Sequence, residues 1–181
     1  MTKKQINVTD YAGDILKALT HGGILVTTKN GEKINSMVIG WGTLGTNWGR
    51  PTFVTYVRQS RFTKEQLDAN PEFTVNIPMG DFDRNILKVC GNLSGRNIDK
   101  VKEAGLTPVD PEVISVPGIK EFPLTLECKV MYAQKQELSL LPEDMRERMY
   151  PRNVGPEAPG ANRDEHTSFY GEIVSAYIIE E

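Results

Sequence analysis

The chain has no apolar run long enough to cross a bilayer, only two cysteines and two histidines in 181 residues, and a net charge of only −3. Each shortage excludes something. A membrane-spanning helix needs about 20 apolar residues in a row, so none is expected. The opening Met-Thr-Lys-Lys-Gln-Ile carries no apolar core of an export signal, so the expected compartment is a reducing cytoplasm. Cys90 and Cys128 lack CxxC spacing, which argues against a disulfide scaffold and against a cysteine zinc site. Each reads as a small buried apolar residue before it reads as a nucleophile. His21 and His166 are far apart, no HExxH pattern occurs, and no GxSxG elbow surrounds any serine. Metal centres and serine hydrolases therefore have little support. The near-neutral charge provides no general attraction to nucleic acid or to an anionic membrane, so any anion site must be local.

What is present is ordinary for a globular protein: 39% hydrophobic and 25% charged residues, in a length that suits one domain over residues 1–181 with a core of its own. No internal repeat and no linker divides it. Tyr11, Ile15, Leu16 and Leu19 fall at helical spacing over Asp10 to Leu19, and His21-Gly22-Gly23 stops that helix. Gly23 to Lys29 and Lys33 to Trp41 read as strands joined by a turn at Asn30-Gly31. Thr52 to Arg58 alternates as a third strand and Phe73 to Ile77 as a fourth. Asp81 to Gly105 reads as helical, with Asp81 capping a segment that holds Ile86, Leu87 and Val89, and Ile98 to Ala104 following as a second helix. Phe122 to Gln134 is a long strand, Pro142 to Tyr150 a short charged helix, Pro151 to Asn162 a loop, and Phe169 to Ile179 a closing strand. Strands joined by hairpins come first and helices are inserted later. That order departs from the strand–helix alternation of a parallel sheet. The expected fold is mainly β with short helices (α+β), an antiparallel barrel with helical insertions.

Gly40-Trp41-Gly42-Thr43-Leu44-Gly45 matches the dinucleotide-binding GxGxxG formally. That motif works only where a helix starts at the glycines and turns its N-terminus to a pyrophosphate. Here Thr46-Asn47-Trp48-Gly49-Arg50-Pro51 follows, which cannot sustain a helix. The glycines fit a tight β-connection, or close backbone approach to a flat ligand, better.

Between Arg58 and Asn70 lies a cluster of anion-binding groups that leads into a short helix. Thr63 with Gln66 fits a capping box, so Thr63 is expected to open a helix from Lys64 to Ala69. Arg58, Ser60, Arg61 and Thr63 put two guanidiniums and two hydroxyls within six positions, beside a helix end that offers N–H groups and a positive dipole. On this stretch alone, a surface turn with a structural cap explains the residues at least as well as a phosphate site does.

The order of segments is more specific. Asn35-Ser-Met-Val-Ile-Gly-Trp41 comes first, then a strand ending Arg58-Gln-Ser-Arg-Phe-Thr63. Phe73-Thr-Val-Asn-Ile-Pro78 follows, then Cys90-Gly-Asn-Leu-Ser-Gly-Arg-Asn-Ile-Asp-Lys100, and a terminal Tyr170-Gly-Glu-Ile-Val174. From Leu19 to Ile179 this resembles the flavin reductase-like family of FMN-binding split barrels, most closely its flavoredoxin type. The resemblance implies an antiparallel split β-barrel, a homodimer, and FMN bound non-covalently near the subunit interface. It implies that Asn35, Ser36, Met37 and Trp41 line the isoalloxazine and ribityl chain, and that Arg58, Ser60 and Thr63 hold the phosphate. Ser94 and Lys100 correspond to a second family motif near the flavin, and His166 and Phe169 approach from the last strand. Residues 142–162 are an insertion that covers either the site or the dimer interface. The implied function is an oxidoreductase that passes electrons from NAD(P)H or a redox partner through FMN. An FMN-binding electron carrier without NAD(P)H activity, or a non-catalytic ligand-binding barrel, are the alternatives. No side chain is expected to serve as a catalytic acid, base or nucleophile, and no metal, nucleic-acid or membrane partner is expected.

Overall fold

Hairpins with short loops dictate an antiparallel sheet, and the chain follows them in order. In the computed structural model, which describes residues 1–21, 23–153 and 164–180, strand β1 (Thr2–Gln5) and helix α1 (Ala12–His21) lead into β2 (Ile24–Asn30) and β3 (Lys33–Ile39). A second hairpin, β4 (Gly42–Asn47) and β5 (Arg50–Arg58), feeds helix α2 (Phe62–Ala69) and strand β6 (Glu72–Ile77). Helices α3 (Asn85–Asn92) and α4 (Lys100–Glu103) come next, followed by the two-residue pair β7 (Pro108–Val109) and β8 (Gly118–Ile119). The long β9 (Leu124–Lys135), helix α5 (Glu143–Met149) and the longest strand, β10 (His166–Glu180), complete the described chain. The main sheet runs β3-β2-β6-β9-β10-β5-β4, with β1 added to β10, and every pairing in it is antiparallel. This is the mainly β, antiparallel architecture that the sequence implies. The Pro151–Asn162 loop falls largely outside the described residues, as does Gly22 of the predicted helix stop; Gly23, at φ +77°, donates its N–H to Ala18 O at 2.8 Å and closes α1.

Two strands of the main sheet were illegible in the sequence. β4 holds a single large apolar residue, Leu44, and lies at the end of the strand order, where half of its residues face solvent. An edge strand needs no alternating apolar pattern, so none marks it. Its loop is Trp48-Gly49, with φ of +50° and +71°. Two positive φ values in a two-residue loop match the right-handed twist of the strands on either side. β1, read as a polar leader, is likewise mostly exposed. The first hairpin turns one residue later than expected: Asn30 pairs with Lys33, and Gly31 (φ +56°) takes the first loop position.

β10 organises the rest. His166 to Glu172 pair with Arg58 to Thr52 of β5, after which β1 takes over that edge. Register shifts after Tyr170 and after Ile173 bend the strand against β9. At the first bend a Cβ on Gly171 would stand 2.6 Å from Phe73, so only glycine lets the backbone pass. The main core gathers Ile15, Leu19, Val26, Phe53, Phe73 and Leu126 among others, and truncating either phenylalanine to alanine should cost about 3–5 kcal/mol. A second cluster, with Leu25, Ile86, Val89 and Phe122, covers the other side of β2, which explains that strand's unbroken apolar run.

Candidate functional site

Three strands converge beside α2. β3 brings Asn35 and Met37, β5 ends on Arg58, and β10 begins at His166, directly opposite Arg58 in the ladder. The chain then turns through Ser60 and Arg61 into α2. The expected capping box does not form: α2 begins at Phe62 with Arg61 at its N-cap, and Arg61 makes no side-chain cap bond. Thr63 lies inside the first turn, and both box residues are committed elsewhere. Thr63 Oγ1 accepts from Asn35 Nδ2 at 2.9 Å. Gln66 Oε1 accepts from Thr28 at 2.5 Å, and its Nε2 donates to Lys33 O at 2.9 Å. Tertiary bonds to the β2–β3 hairpin have replaced the local cap, and among the described residues the first-turn N–H groups of α2 have no side-chain acceptor. Asp81 likewise caps nothing; Asp83 accepts from Asn85 N at 2.8 Å instead, and α3 starts only at Asn85.

The loop after α3 folds over this corner. Arg96 donates to Ser60 O at 2.9 Å and to Glu65 at 3.0 Å, drawing Ser94 and Gly95 onto Asn35 and Phe62. A cavity of about 170 Å³ results, lined by Asn35, Met37, Ser60, Thr63, Ser94 and Lys100 together with Arg61. A second, of about 320 Å³, is lined by Met37, Trp41, Tyr56, Arg58, Arg61 and His166. Met37 and Arg61 line both, so the two form one trough. Nine of the eleven residues expected at the site line it. Ser36 does not: its hydroxyl bonds Thr27 at 2.8 Å in the interior, and only its carbonyl, accepting from Lys100 Nζ at 3.1 Å, supports the trough. Phe169 sits in the main core, outside both cavities. Arg61, part of the anion-binding cluster but outside the expected ligand set, lines both cavities. Nothing in the sequence marked Tyr56 or Tyr150, because each looks like an ordinary strand or helix residue. A larger open cavity of about 910 Å³ under α5, lined by Lys135, Glu137, Arg146 and Glu147, carries both signs of charge and none of the expected residues.

The trough gathers positive charge. Burial, and then the neighbouring Arg58, push the Arg61 pKa down. Burial does the same to Lys100, whose ammonium is pinned between Ser36 O and Cys90 O (3.1 and 2.9 Å). The carboxylate that meets this charge is Asp164, 3.7 Å from Arg58 and accepting from Ser60 N at 2.7 Å. Burial, reinforced by Arg58, holds the His166 pKa at about 4, so the ring is neutral at pH 7. The Cys90 thiol, pushed up to about 11 by burial, is not a nucleophile. Among the described residues no group of three potential metal ligands occurs, and no helix is long and apolar enough to cross a membrane.

Two features ask for a ligand. Among the described residues Asn35 Oδ1 is buried without a hydrogen-bond partner, a state that costs about 1–3 kcal/mol unless something donates to it. Trp41, 38% exposed, presents an aromatic face at the rim, and its ring lies 5.1 Å from that of His166. Cations along both cavities, a buried acceptor in one and a Met–Trp–Tyr wall in the other suit a flat amphipathic molecule with an anionic group.

Known proteins share this fold. The flavoredoxin of Desulfovibrio vulgaris (Miyazaki F) superposes with a TM-score of 0.64 at 25% identity, over 87% of this chain and 69% of that one. The flavoredoxin from Methanosarcina acetivorans gives 0.60 at 26% identity over the same shares. An FMN-binding domain of a flavin reductases-like enzyme from Shewanella baltica OS155, only 15% identical and so similar in fold alone, gives 0.61 over 98% of this chain and 77% of that one. The model of the flavin reductase like domain matches residues 16–181. The chain therefore belongs to the flavin reductase like family, with its split-barrel fold.

Proposed function

We propose that the chain binds FMN in the Asn35–Trp41–Arg58–Lys100 trough and works as an oxidoreductase fed by NAD(P)H. The observation that carries the reading is the pairing of a buried cationic end with an unpartnered Asn35 acceptor in one continuous trough. Bound FMN would supply the redox chemistry, taking an electron pair from a donor and passing it on. The protein's own part is binding, orientation and exclusion of water. Arg58 and Arg61 offer guanidinium forks to a phosphate, Ser60 and Thr63 offer hydroxyls, and α2 directs its uncapped first turn to the same place. Asn35 would accept from a polar group of the ligand while its Nδ2 stays on Thr63. Met37 and Trp41 supply the apolar wall, with His166 beside Trp41. Ser94 and Lys100 close the far end. Two free, buried cysteines suit a reducing cytoplasm. An exposed aromatic cluster, Trp48 with Tyr132 and Tyr170 at ring separations of 5.4–6.0 Å, supports a homodimer, which light scattering tests directly.

A visible spectrum of the purified protein, before and after adding FMN, tests the reading, and anaerobic NADPH or NADH then separates enzyme from carrier. Bleaching of the flavin by either nucleotide supports the enzyme; reduction by a protein donor alone makes it an electron carrier. A protein that never binds FMN sinks both. Replacing Arg58 with Ala should weaken FMN roughly 10–100-fold, the loss of one charge-assisted bond, and leave riboflavin, which has no phosphate, nearly unchanged.

A further inference from the structure

Tyr150 ends helix α5 and is buried, although no residue of the helix itself is. Its hydroxyl oxygen lies 2.9 Å from His166 Nδ1 and 3.1 Å from Gln136 Oε1. A phenol has one proton to donate. The glutamine oxygen can only accept, so the proton goes there, and the hydrogen between Tyr150 and the imidazole must come from Nδ1. The ring is then the Nδ1–H tautomer, and Nε2 keeps its lone pair. Gln136 is held in turn, because its backbone N–H donates to His166 O at 2.8 Å. The three residues make a closed circuit that ties α5 and the end of β9 to the first residue of β10.

The surroundings oppose a second proton on the ring. Arg58 stands across the ladder, Arg61 lies nearby on the other side of the trough, and Asp164 alone pulls the other way. Tyr150 is neutral, with burial raising its own pKa. Trp41 packs against both rings, 5.1 Å from His166 and 6.4 Å from Tyr150, and Trp41 and His166 line the same cavity. Among the described residues Nε2 has no hydrogen-bond partner, and His166 lines the Trp41 cavity.

We propose that Tyr150 is a positioning residue: it holds His166 in the Nδ1–H form, so that Nε2 accepts a hydrogen bond from an amide-type N–H of a planar heterocycle bound against Trp41. An oxidised isoalloxazine has one ring N–H and a nicotinamide has a carboxamide NH₂, whereas a plain aromatic edge has neither. This second half rests on the flavin reading. The tautomer half rests only on Tyr150, Gln136 and His166. It also gives the α5 insertion a role in the site.

Two-bond proton–nitrogen spectra of the ¹⁵N-labelled full-length chain at neutral pH read both halves. There are two histidines, so His21→Gln assigns the signals. Ligand-free wild type should show His166 protonated at Nδ1, and Tyr150→Phe should move at least half of the population to Nε2–H. An Nε2–H ring in wild type, or an unchanged ratio in the variant, overturns the proposal. If Tyr150→Phe loosens α5, Gln136→Glu decides: a carboxylate can only accept, so Nδ1–H must persist, and a switch to Nε2–H overturns it. Adding FMN and then NAD⁺, which carries the carboxamide but cannot reduce the flavin, identifies the donor. An Nε2 shift with FMN alone assigns it to the flavin, and a shift only after NAD⁺ assigns it to the nicotinamide. No shift with flavin saturated overturns the acceptor half. A chain that binds neither molecule removes that half together with the flavin reading and leaves the tautomer result standing.

Discussion

Gly95 lies directly against Asn35: a Cβ on Gly95 would come within 2.1 Å of Asn35 Oδ1 and 2.9 Å of the Phe62 ring. The constraint is space rather than backbone strain, since Gly95 lies outside the left-handed φ range. Asn35 is 2% exposed and has no room to retreat. Gly95→Ala should therefore displace either the carboxamide or the loop, at about 1–3 kcal/mol of stability by overpacking. Because the same carboxamide lines the trough, FMN affinity should fall tenfold or more. Gly45→Ala, at a site with nothing within 4 Å, is the control. Denaturant midpoints and flavin titrations of the two variants make the comparison, and equal behaviour would show that Asn35 is not held by Gly95.

Asp164 competes for the groups proposed to hold the phosphate. Its carboxylate accepts the Ser60 N–H at 2.7 Å and sits 3.7 Å from Arg58. A dianionic phosphate arriving there meets a like charge already in place. Asp164→Asn keeps an acceptor for Ser60 but removes the charge, so FMN should bind several-fold more tightly, with the gain shrinking as salt rises. Affinities measured at about 0.05 and 0.5 M salt test this. A weaker complex would mean that the carboxylate orients Arg58 for the ligand rather than competing with it.

Most of the sheet could be read from the sequence, because β2, β3, β5, β6, β9 and β10 each bury at least one side and carry an apolar pattern. β1 and β4 lie at edges and carry none. The anion site was legible as a cluster of residue types, since Arg58, Ser60, Arg61 and Thr63 are neighbours in the chain. Its construction was not. The capping box is a local rule, and Thr63 and Gln66 are instead engaged by Asn35, Thr28 and Lys33, residues about 30–40 positions away. Phe169, placed at the site by the family resemblance, has its ring in the main core, on the opposite face of β10 from His166 by strand alternation. Tyr150 was invisible because its role depends on a pairing with His166 that no spacing encodes.

His166 makes the fold acid-sensitive over a defined window. In the unfolded chain its pKa is near 6.5, and burial and Arg58 hold it at about 4 in the fold. The sign follows from proton uptake. At pH 7 neither state is protonated and the full stability is present. As pH falls below 6.5 the unfolded chain takes the proton and the fold does not, so stability drops until about pH 4, by about 3 kcal/mol in all. His166→Gln keeps a polar partner for Tyr150 and has nothing to titrate, so its urea midpoint should vary less between pH 7 and 4 than that of wild type. Parallel pH profiles would place the acid sensitivity in other groups.

Glu127 tests whether stability and the trough can be separated. It is fully buried and accepts three backbone N–H groups, from Glu112 at 2.7 Å, Val113 at 2.8 Å and Ile114 at 3.2 Å, latching the 110–115 loop onto β9. Glu72 holds the same loop a second time through Ser115 N and Oγ, at 2.8 and 2.6 Å. In Glu127→Gln one oxygen becomes an NH₂ that faces backbone donors, leaving at least one buried N–H unpaired at about 1–3 kcal/mol. For a chain of this length that corresponds to a Tm lowered by roughly 3–10 °C. Glu127 pairs with Ser175, nine positions along β10 from His166, which is about 30 Å of strand. The flavin affinity should therefore stay at the wild-type value while amide exchange at residues 112–114 accelerates. A variant that loses flavin binding in step with Tm would show that the loop latch and the trough belong to one cooperative unit.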